Sequence, residues 1–264
     1  MKIAVLGAGA FGASLGGILE EKGVEVAFYD PFKFPENELK EVLRAARAIV
    51  LATPSSVIPD LFAELPEFSF LKPLIVASKG MLSLRIFNKF ERVEFVSGPA
   101  FARDVREKKS IKLTTTGEIA ENLLKTRSVS FDKTNDSLGV VFCGSLKNIY
   151  AVEAGFRKLE PETIEFEQFI FKALEEIEGF LEENGARRET ARLACGEGDL
   201  RLTCGSEESR NYRFGAQLRA RYLGRPAETT EAIATVEELE REGLIIPKRA
   251  EILKGAVRRI KNAT

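Results

Sequence analysis

Residues 7–12 read Gly-Ala-Gly-Ala-Phe-Gly and follow directly on the apolar run at 2–6. No other feature of the 264-residue chain restricts its fold as strongly. A GxGxxG that leaves a β-branched run and opens an amphipathic stretch asks for a strand, a tight turn and a helix lying close on that strand. In that arrangement Gly7 makes the turn, Gly9 lets the backbone approach a pyrophosphate, and Gly12 lets helix and strand pack closely. Ala10 and Phe11 then open the helix, whose unpaired N–H groups and positive dipole end suit phosphates. A glycine turn in a doubly wound sheet that holds no ligand is the alternative.

The pattern beyond the turn extends this start. Short apolar runs at 2–6, 24–29, 48–52, 74–77 and 95–96 alternate with amphipathic stretches, the signature of a parallel sheet built from βαβ units. Two further strands are expected at 111–116 and 128–131, with a short helix at 118–125 between them. After Asp136 the strand signal stops. Leu138, Val141, Phe142, Leu146, Ile149 and Val152 recur at helical spacing. A second long helix is expected at 162–183, ending at Asn184-Gly185, and others at 186–194, near 214–222, at 230–242 and at 247–261. The expected fold is therefore α/β: a Rossmann-type doubly wound domain over 1–135, followed by an all-helical domain over 136–264.

Composition narrows the chemistry. The chain has no His, which excludes Ser-His-Asp and Cys-His nucleophile pairs and any His-bearing metal site; no metal is expected. Acid/base work must fall to Lys, Asp, Glu, Tyr or Cys. With 39 Lys+Arg against 40 Asp+Glu, no basic surface for nucleic acid is implied. No apolar run approaches the ~20 residues of a membrane span. Cys143, Cys195 and Cys204 form no CxxC pair, and a reducing cytoplasm is the expected location. The apolar helical domain makes a homodimer plausible.

Asp30 ends the second run, where an acidic residue would bond the adenosine ribose hydroxyls and repel a 2′-phosphate. NAD is thus favoured. Lys33, three residues on, could swing toward a 2′-phosphate, so NADP stays open.

Downstream, Ser78-Lys79-Gly80 and Ser97-Gly98-Pro99 each follow a strand, where open α/β sheets place ligands. On the helix after Asp136, Gly144, Lys147, Asn148, Ala151, Ala154 and Gly155 share one face. Only Lys147 and Asn148 offer hydrogen bonds there, so the face suits a ligand better than a second helix. An ammonium can stabilise negative charge growing on a carbonyl oxygen during reduction and donate a proton to it. Ser209-Arg210-Asn211 combines a hydroxyl, a guanidinium fork and an amide, a phosphate clamp if it opens a helix; a surface turn with a helix cap is the other reading.

Taken in order, ASKG, SGPAFA, GSLKNIYA, GEGDLRLTC, SRNYRFG and Thr230-Glu231-Ala232 resemble the NAD(P)-dependent glycerol-3-phosphate dehydrogenases. The resemblance implies interconversion of dihydroxyacetone phosphate and sn-glycerol 3-phosphate. It implies Lys147 as the acid/base, Lys79 touching substrate and cofactor, and Asp199 on the substrate side. Ser209, Arg210 and Asn211 would hold the substrate phosphate, with Arg210 also reaching the cofactor, while Gly98, Ala102 and Glu231 would line the site. The chain is short for such a family, because little room is left for an extra strand between Asp30 and the third strand.

Overall fold

A computed structural model describes residues 1–81, 84–220 and 230–264. The chain divides into two compact units. The first is made of Met1–Lys79, Ser83–Val96 and Ala100–Ser137, and the second of Leu138–Thr264 with the short pieces Gly80–Leu82 and Ser97–Pro99.

The first unit is built on seven strands: β1 (Lys2–Leu6), β2 (Glu25–Tyr29), β3 (Ala48–Leu51), β4 (Leu74–Val76), β5 (Val93–Ser97), β6 (Ile111–Thr115) and β7 (Val129–Lys133). Their order across the sheet is β2-β1-β3-β4-β5-β6-β7. β1 pairs in parallel with both β2 and β3, and the β3–β4, β4–β5 and β6–β7 pairs are parallel too. Both faces are buried, as a doubly wound sheet requires. Ile3, Val5, Val50 and Ile75 meet Leu15 and Leu19 of α1 (Ala10–Glu21) and Leu123 and Leu124 of α5 (Glu118–Leu124) in one core. The alternate residues Ala4, Leu6, Ile49, Leu51 and Leu74 are equally buried. A cluster of edge-on phenylalanines, Phe62, Phe70, Phe87, Phe90 and Phe95, fills space in a chain without Trp.

All seven expected strands form, with ends shifted by a residue or two. β2 is an edge strand, and only α2 (Leu39–Ala45) separates it from β3, so the missing extra strand foreseen from the short 30–52 interval is missing in the fold. α3 (Ile58–Glu64) and α4 (Ala102–Arg106) complete the α-helices of this unit.

The second unit is helical. α6 (Ser137–Arg157) is buried almost along its whole length, and α7 (Ile164–Glu183) starts from a Thr163 side chain that accepts a bond from the Phe166 N–H. α8 (Asp199–Cys204), α9 (Arg210–Arg219), α10 (Glu231–Arg241) and α11 (Glu251–Lys261) follow. Among the described residues no helix is long and apolar enough to cross a membrane.

Three helix expectations need correction. The 186–194 stretch is not an α-helix but a 3-10 turn, Arg188–Arg192, running into a five-residue π turn, Ala194–Gly198. The two turns pack so tightly that a Cβ on Gly196 would lie 2.1 Å from the Ala191 carbonyl oxygen, which no residue-by-residue propensity reveals. α11 begins at Glu251 rather than 247, because Glu176 of α7 accepts the Ile252 and Leu253 N–H groups and so fixes where its first turn sits. α9 begins at Arg210, earlier than the expected start near 214; the expected end at 221–222 lies outside the described residues.

α10 buries a carboxyl group, Glu238. Burial pushes the Glu238 carboxyl up to about 7, with Arg241 opposing and Glu231 and Glu242 reinforcing the shift. Its Oε2 is buried without a hydrogen-bond partner. The folded chain therefore holds a proton here that the unfolded chain, at the ordinary value of 4.5, has released. Stability from this group is full below that lower value and is lost as pH rises through the higher one. Glu238→Gln is expected to raise the melting temperature at pH 8 by roughly 2–4 °C and to leave it unchanged at pH 4, as thermal melts at both pH values will show.

Candidate active site

Each unit gathers its own set of candidate site residues. In the first, Gly7 has a φ of 97°, a conformation that excludes most side chains, and its N–H donates to the Tyr29 carbonyl at 2.8 Å. The chain thereby turns from β1 into α1 beside the end of β2. At Gly12 a Cβ would stand 2.0 Å from the Gly7 carbonyl oxygen, so helix and turn touch only because that atom is missing. At Gly9, the N-cap, a Cβ would meet nothing within 4 Å. That backbone faces open space. No side chain caps the helix, and the first-turn N–H groups of Ala10, Phe11 and Gly12 are left to an outside acceptor. A tight turn, a close helix and an approachable backbone together fit a dinucleotide pyrophosphate.

Asp30 lies at this turn as expected, but its carboxylate is engaged by the backbone. Oδ2 accepts the Ala8 N–H at 2.9 Å, and Oδ1 accepts those of Phe32 and Lys33 at 3.1 and 3.3 Å. Lys33 Nζ donates to the Ala8 carbonyl at 2.7 Å. Lys79 brings its ammonium to 5.5 Å from the centre of the Phe11 ring. The Ala102 carbonyl accepts from the Ser14 hydroxyl of α1 at 3.0 Å. Gly7, Gly9, Ala10, Phe11, Gly12, Asp30, Lys33, Lys79 and Ala102 thus belong to one neighbourhood around the first turn of α1.

In the second unit the π turn ends at Gly198 and delivers Asp199 as the first residue of α8. Asp199 is fully buried, and its Oδ1 lies 2.5 Å from the Nζ of Lys147, itself 3 % exposed. The ammonium also donates to the Thr203 hydroxyl at 3.2 Å, and that hydroxyl donates to the Asp199 carbonyl at 2.6 Å. An interrupted helix of this kind re-aims side chains, and here it aims the carboxylate at α6. Cys204 beside the pair stays a neutral thiol: burial pushes it well above the usual range, Lys147 pulls it down and Asp199 pushes it up.

Ser209 caps α9, its hydroxyl accepting the Tyr212 N–H at 3.3 Å. Arg210 is exposed on the first turn. The amide of Asn211 is occupied twice, donating to Asn148 Oδ1 at 2.9 Å and accepting the Ala232 N–H at 3.1 Å. It ties α6, α9 and the start of α10, where Glu231 lies, into one body. Gly98 (φ 151°) sits between Ser97, whose hydroxyl packs against Gly144 of α6, and Pro99, which packs against Gly198. Gly98, Lys147, Asp199, Ser209, Arg210, Asn211 and Glu231 all fall within this unit.

The small-residue face of α6 receives a helix over part of its length. A Cβ on Gly155 would lie 1.9 Å from the Tyr212 carbonyl oxygen, and one on Gly215 1.9 Å from that of Val152, so α6 and α9 cross backbone to backbone. The expected ligand face is taken up by α9 there. Thr203 was missed altogether, although its position four residues after Asp199 puts it on the same helical face.

The motifs of the second unit have counterparts elsewhere. Residues 136–251 match the model of the NAD-dependent glycerol-3-phosphate dehydrogenase C-terminus. A Pseudomonas putida protein named glycerol-3-phosphate dehydrogenase [NAD(P)+] is 28% identical over 90% of this chain and 83% of its own length. Residues 136–251 thus match the C-terminal domain of that family, and the chain as a whole is similar to the NAD(P)-dependent glycerol-3-phosphate dehydrogenases. Another relative of that name, from Pseudomonas syringae pv. syringae, is 29% identical over 82% of this chain and 75% of its own. The solved glycerol-3-phosphate dehydrogenase of Coxiella burnetii has the same fold, with a TM-score of 0.75 at 21% identity over 98% of both chains. Within the family's C-terminal region lie Lys147, Asp199 and the Ser209-Arg210-Asn211 run; the glycine turn precedes the matched residues.

Proposed function

We propose that the chain is an NAD(P)-dependent dehydrogenase interconverting dihydroxyacetone phosphate and sn-glycerol 3-phosphate, with Lys147 as the acid/base. The observation that carries this is the buried Lys147–Asp199 pair, bonded to Thr203, inside the region that matches the family. A bound nicotinamide supplies or takes the hydride. As the carbonyl carbon is reduced, negative charge grows on its oxygen; the Lys147 ammonium stabilises it and donates the proton. In the other direction the neutral amine takes the alcohol proton. Asp199 and Thr203 hold the nitrogen in one position, which removes the cost of orienting a flexible side chain during the reaction.

Arg210, with the N–H groups of Arg210 and Asn211 that precede the capped Tyr212 N–H, takes the substrate phosphate in this reading, and the Asn211 side chain, already bonded to two helices, braces them. Gly7, Gly9, Ala10, Phe11, Gly12, Asp30, Lys79, Ala102 and Glu231 serve the dinucleotide, with NAD favoured over NADP by the Asp30 carboxylate. Three buried free cysteines suit a cytoplasmic protein, and a homodimer is the expected assembly.

The test is oxidation of NADH and of NADPH by the purified protein with dihydroxyacetone phosphate. Turnover that requires the phosphate supports the reading; dinucleotide binding without turnover points to another carbonyl substrate. Arg210→Met is expected to raise the KM for dihydroxyacetone phosphate roughly 10–100-fold and to leave that for unphosphorylated dihydroxyacetone unchanged, measured by steady-state kinetics. Equal effects on both would remove Arg210 from the phosphate site.

A further inference from the structure

Both polar backbone groups of one residue in the glycine turn are held by side chains from the end of β2. The Ala8 N–H goes to Asp30 Oδ2 at 2.9 Å, and the Ala8 carbonyl accepts from Lys33 Nζ at 2.7 Å. The Gly7 N–H is held by the Tyr29 carbonyl. The segment that supplies the two side chains is itself braced. The Asp30 carbonyl accepts the N–H groups of Lys33 and Phe34, Asn37 donates to the Phe28 carbonyl at 2.9 Å, and the Phe34 ring stacks on Phe28 at 5.8 Å.

We propose that Lys33 is a positioning residue that latches the glycine turn for any dinucleotide, and is not a ligand of a 2′-phosphate. The inference rests on the dinucleotide reading of the turn. One of the three ammonium donors of Lys33 is directed at the Ala8 carbonyl, and a side chain that swung away to a 2′-phosphate would take that donor from the turn. While the latch holds, the peptide planes on either side of Ala8 are set before a ligand arrives, so the turn that leads into Gly9 and the helix needs less ordering on binding. Asp30 performs the matching task on the N–H side. The acidic residue that excludes a 2′-phosphate and the basic residue three positions on are two halves of one clamp.

The experiment compares wild type, Lys33→Met and Lys33→Arg, each assayed with NADH and with NADPH, with a thermal melt of each ligand-free protein. Loss of a charge-assisted bond predicts that Lys33→Met raises the KM of both dinucleotides together by about tenfold, with kcat at saturation held and the ligand-free melting temperature unchanged. Lys33→Arg, which still offers a donor to the Ala8 carbonyl, restores most of both. A rise confined to NADPH would make Lys33 a 2′-phosphate ligand and overturn the proposal, as would no change with either. Failure of the wild type to bind either dinucleotide would overturn the underlying dinucleotide reading instead, before any variant is compared.

Discussion

Lys147→Met is expected to lower turnover by about 10³-fold while dinucleotide binding is kept. Two effects must be separated, because the residue also belongs to a buried ion pair. Removing the ammonium leaves Asp199, which is fully buried, without its counter-charge, and breaking such a pair from one side costs about 3–5 kcal/mol. A melting temperature several degrees below wild type is therefore expected of the single variant. The double variant Lys147→Met/Asp199→Asn removes both charges of the pair and should recover much of that stability without recovering activity. Kinetics and melts on the same preparations settle the matter. If turnover returned with stability, or fell only in step with the unfolded fraction, the pair would be a structural device and the proton would have to come from another group.

Gly12→Ala and Gly9→Ala should fail in opposite ways. At Gly12 the new methyl would sit 2.0 Å from the Gly7 carbonyl oxygen, 3.1 Å from its carbon and 3.2 Å from the Ala52 Cβ. Backbone must move, and overpacking of this severity costs about 3 kcal/mol or more, so both melting temperature and dinucleotide binding should fall. At Gly9 the methyl meets no protein atom within 4 Å, so the fold should be indifferent to it. It would stand instead where the backbone is open to a pyrophosphate, and dinucleotide affinity should drop roughly tenfold or more at an unchanged melting temperature. Calorimetric titration with NADH, paired with a melt, distinguishes the two. Wild-type affinity in Gly9→Ala would mean that the dinucleotide does not approach the turn there.

The features that were legible in the chain are local ones. Strand periodicity at 2–6 and 48–51, the helical spacing of Leu138, Phe142 and Ile149, and the glycine pattern at 7–12 are each written within one element, and each forms where it is expected. The segment 186–194 has ordinary helix-forming residues, yet it folds as a 3-10 turn running into a π turn, with Gly196 so close to the Ala191 backbone that a Cβ there would clash. Similarly, the small face of α6 was open to either a ligand or a helix, and the choice fell to Gly215 of α9, sixty residues away along the chain from Gly155.

The site divides in the same manner. The resemblance of their motifs singles out Lys147 and Asp199 as site candidates, but spacing does not show that they meet, nor that Thr203, 56 residues from Lys147, joins them. Asp30 was placed at the glycine turn by its spacing, while its bond to Ala8 and the opposing bond from Lys33 required coordinates. Sequence alone determined the α/β start, the glycine turn and the helical second half, because periodicity and glycine's missing side chain act over a few residues. Only the tertiary structure decided which charges are paired and which backbone groups are held, because an ion pair or hydrogen bond between distant segments depends on distances of a few ångströms that no spacing along the chain encodes.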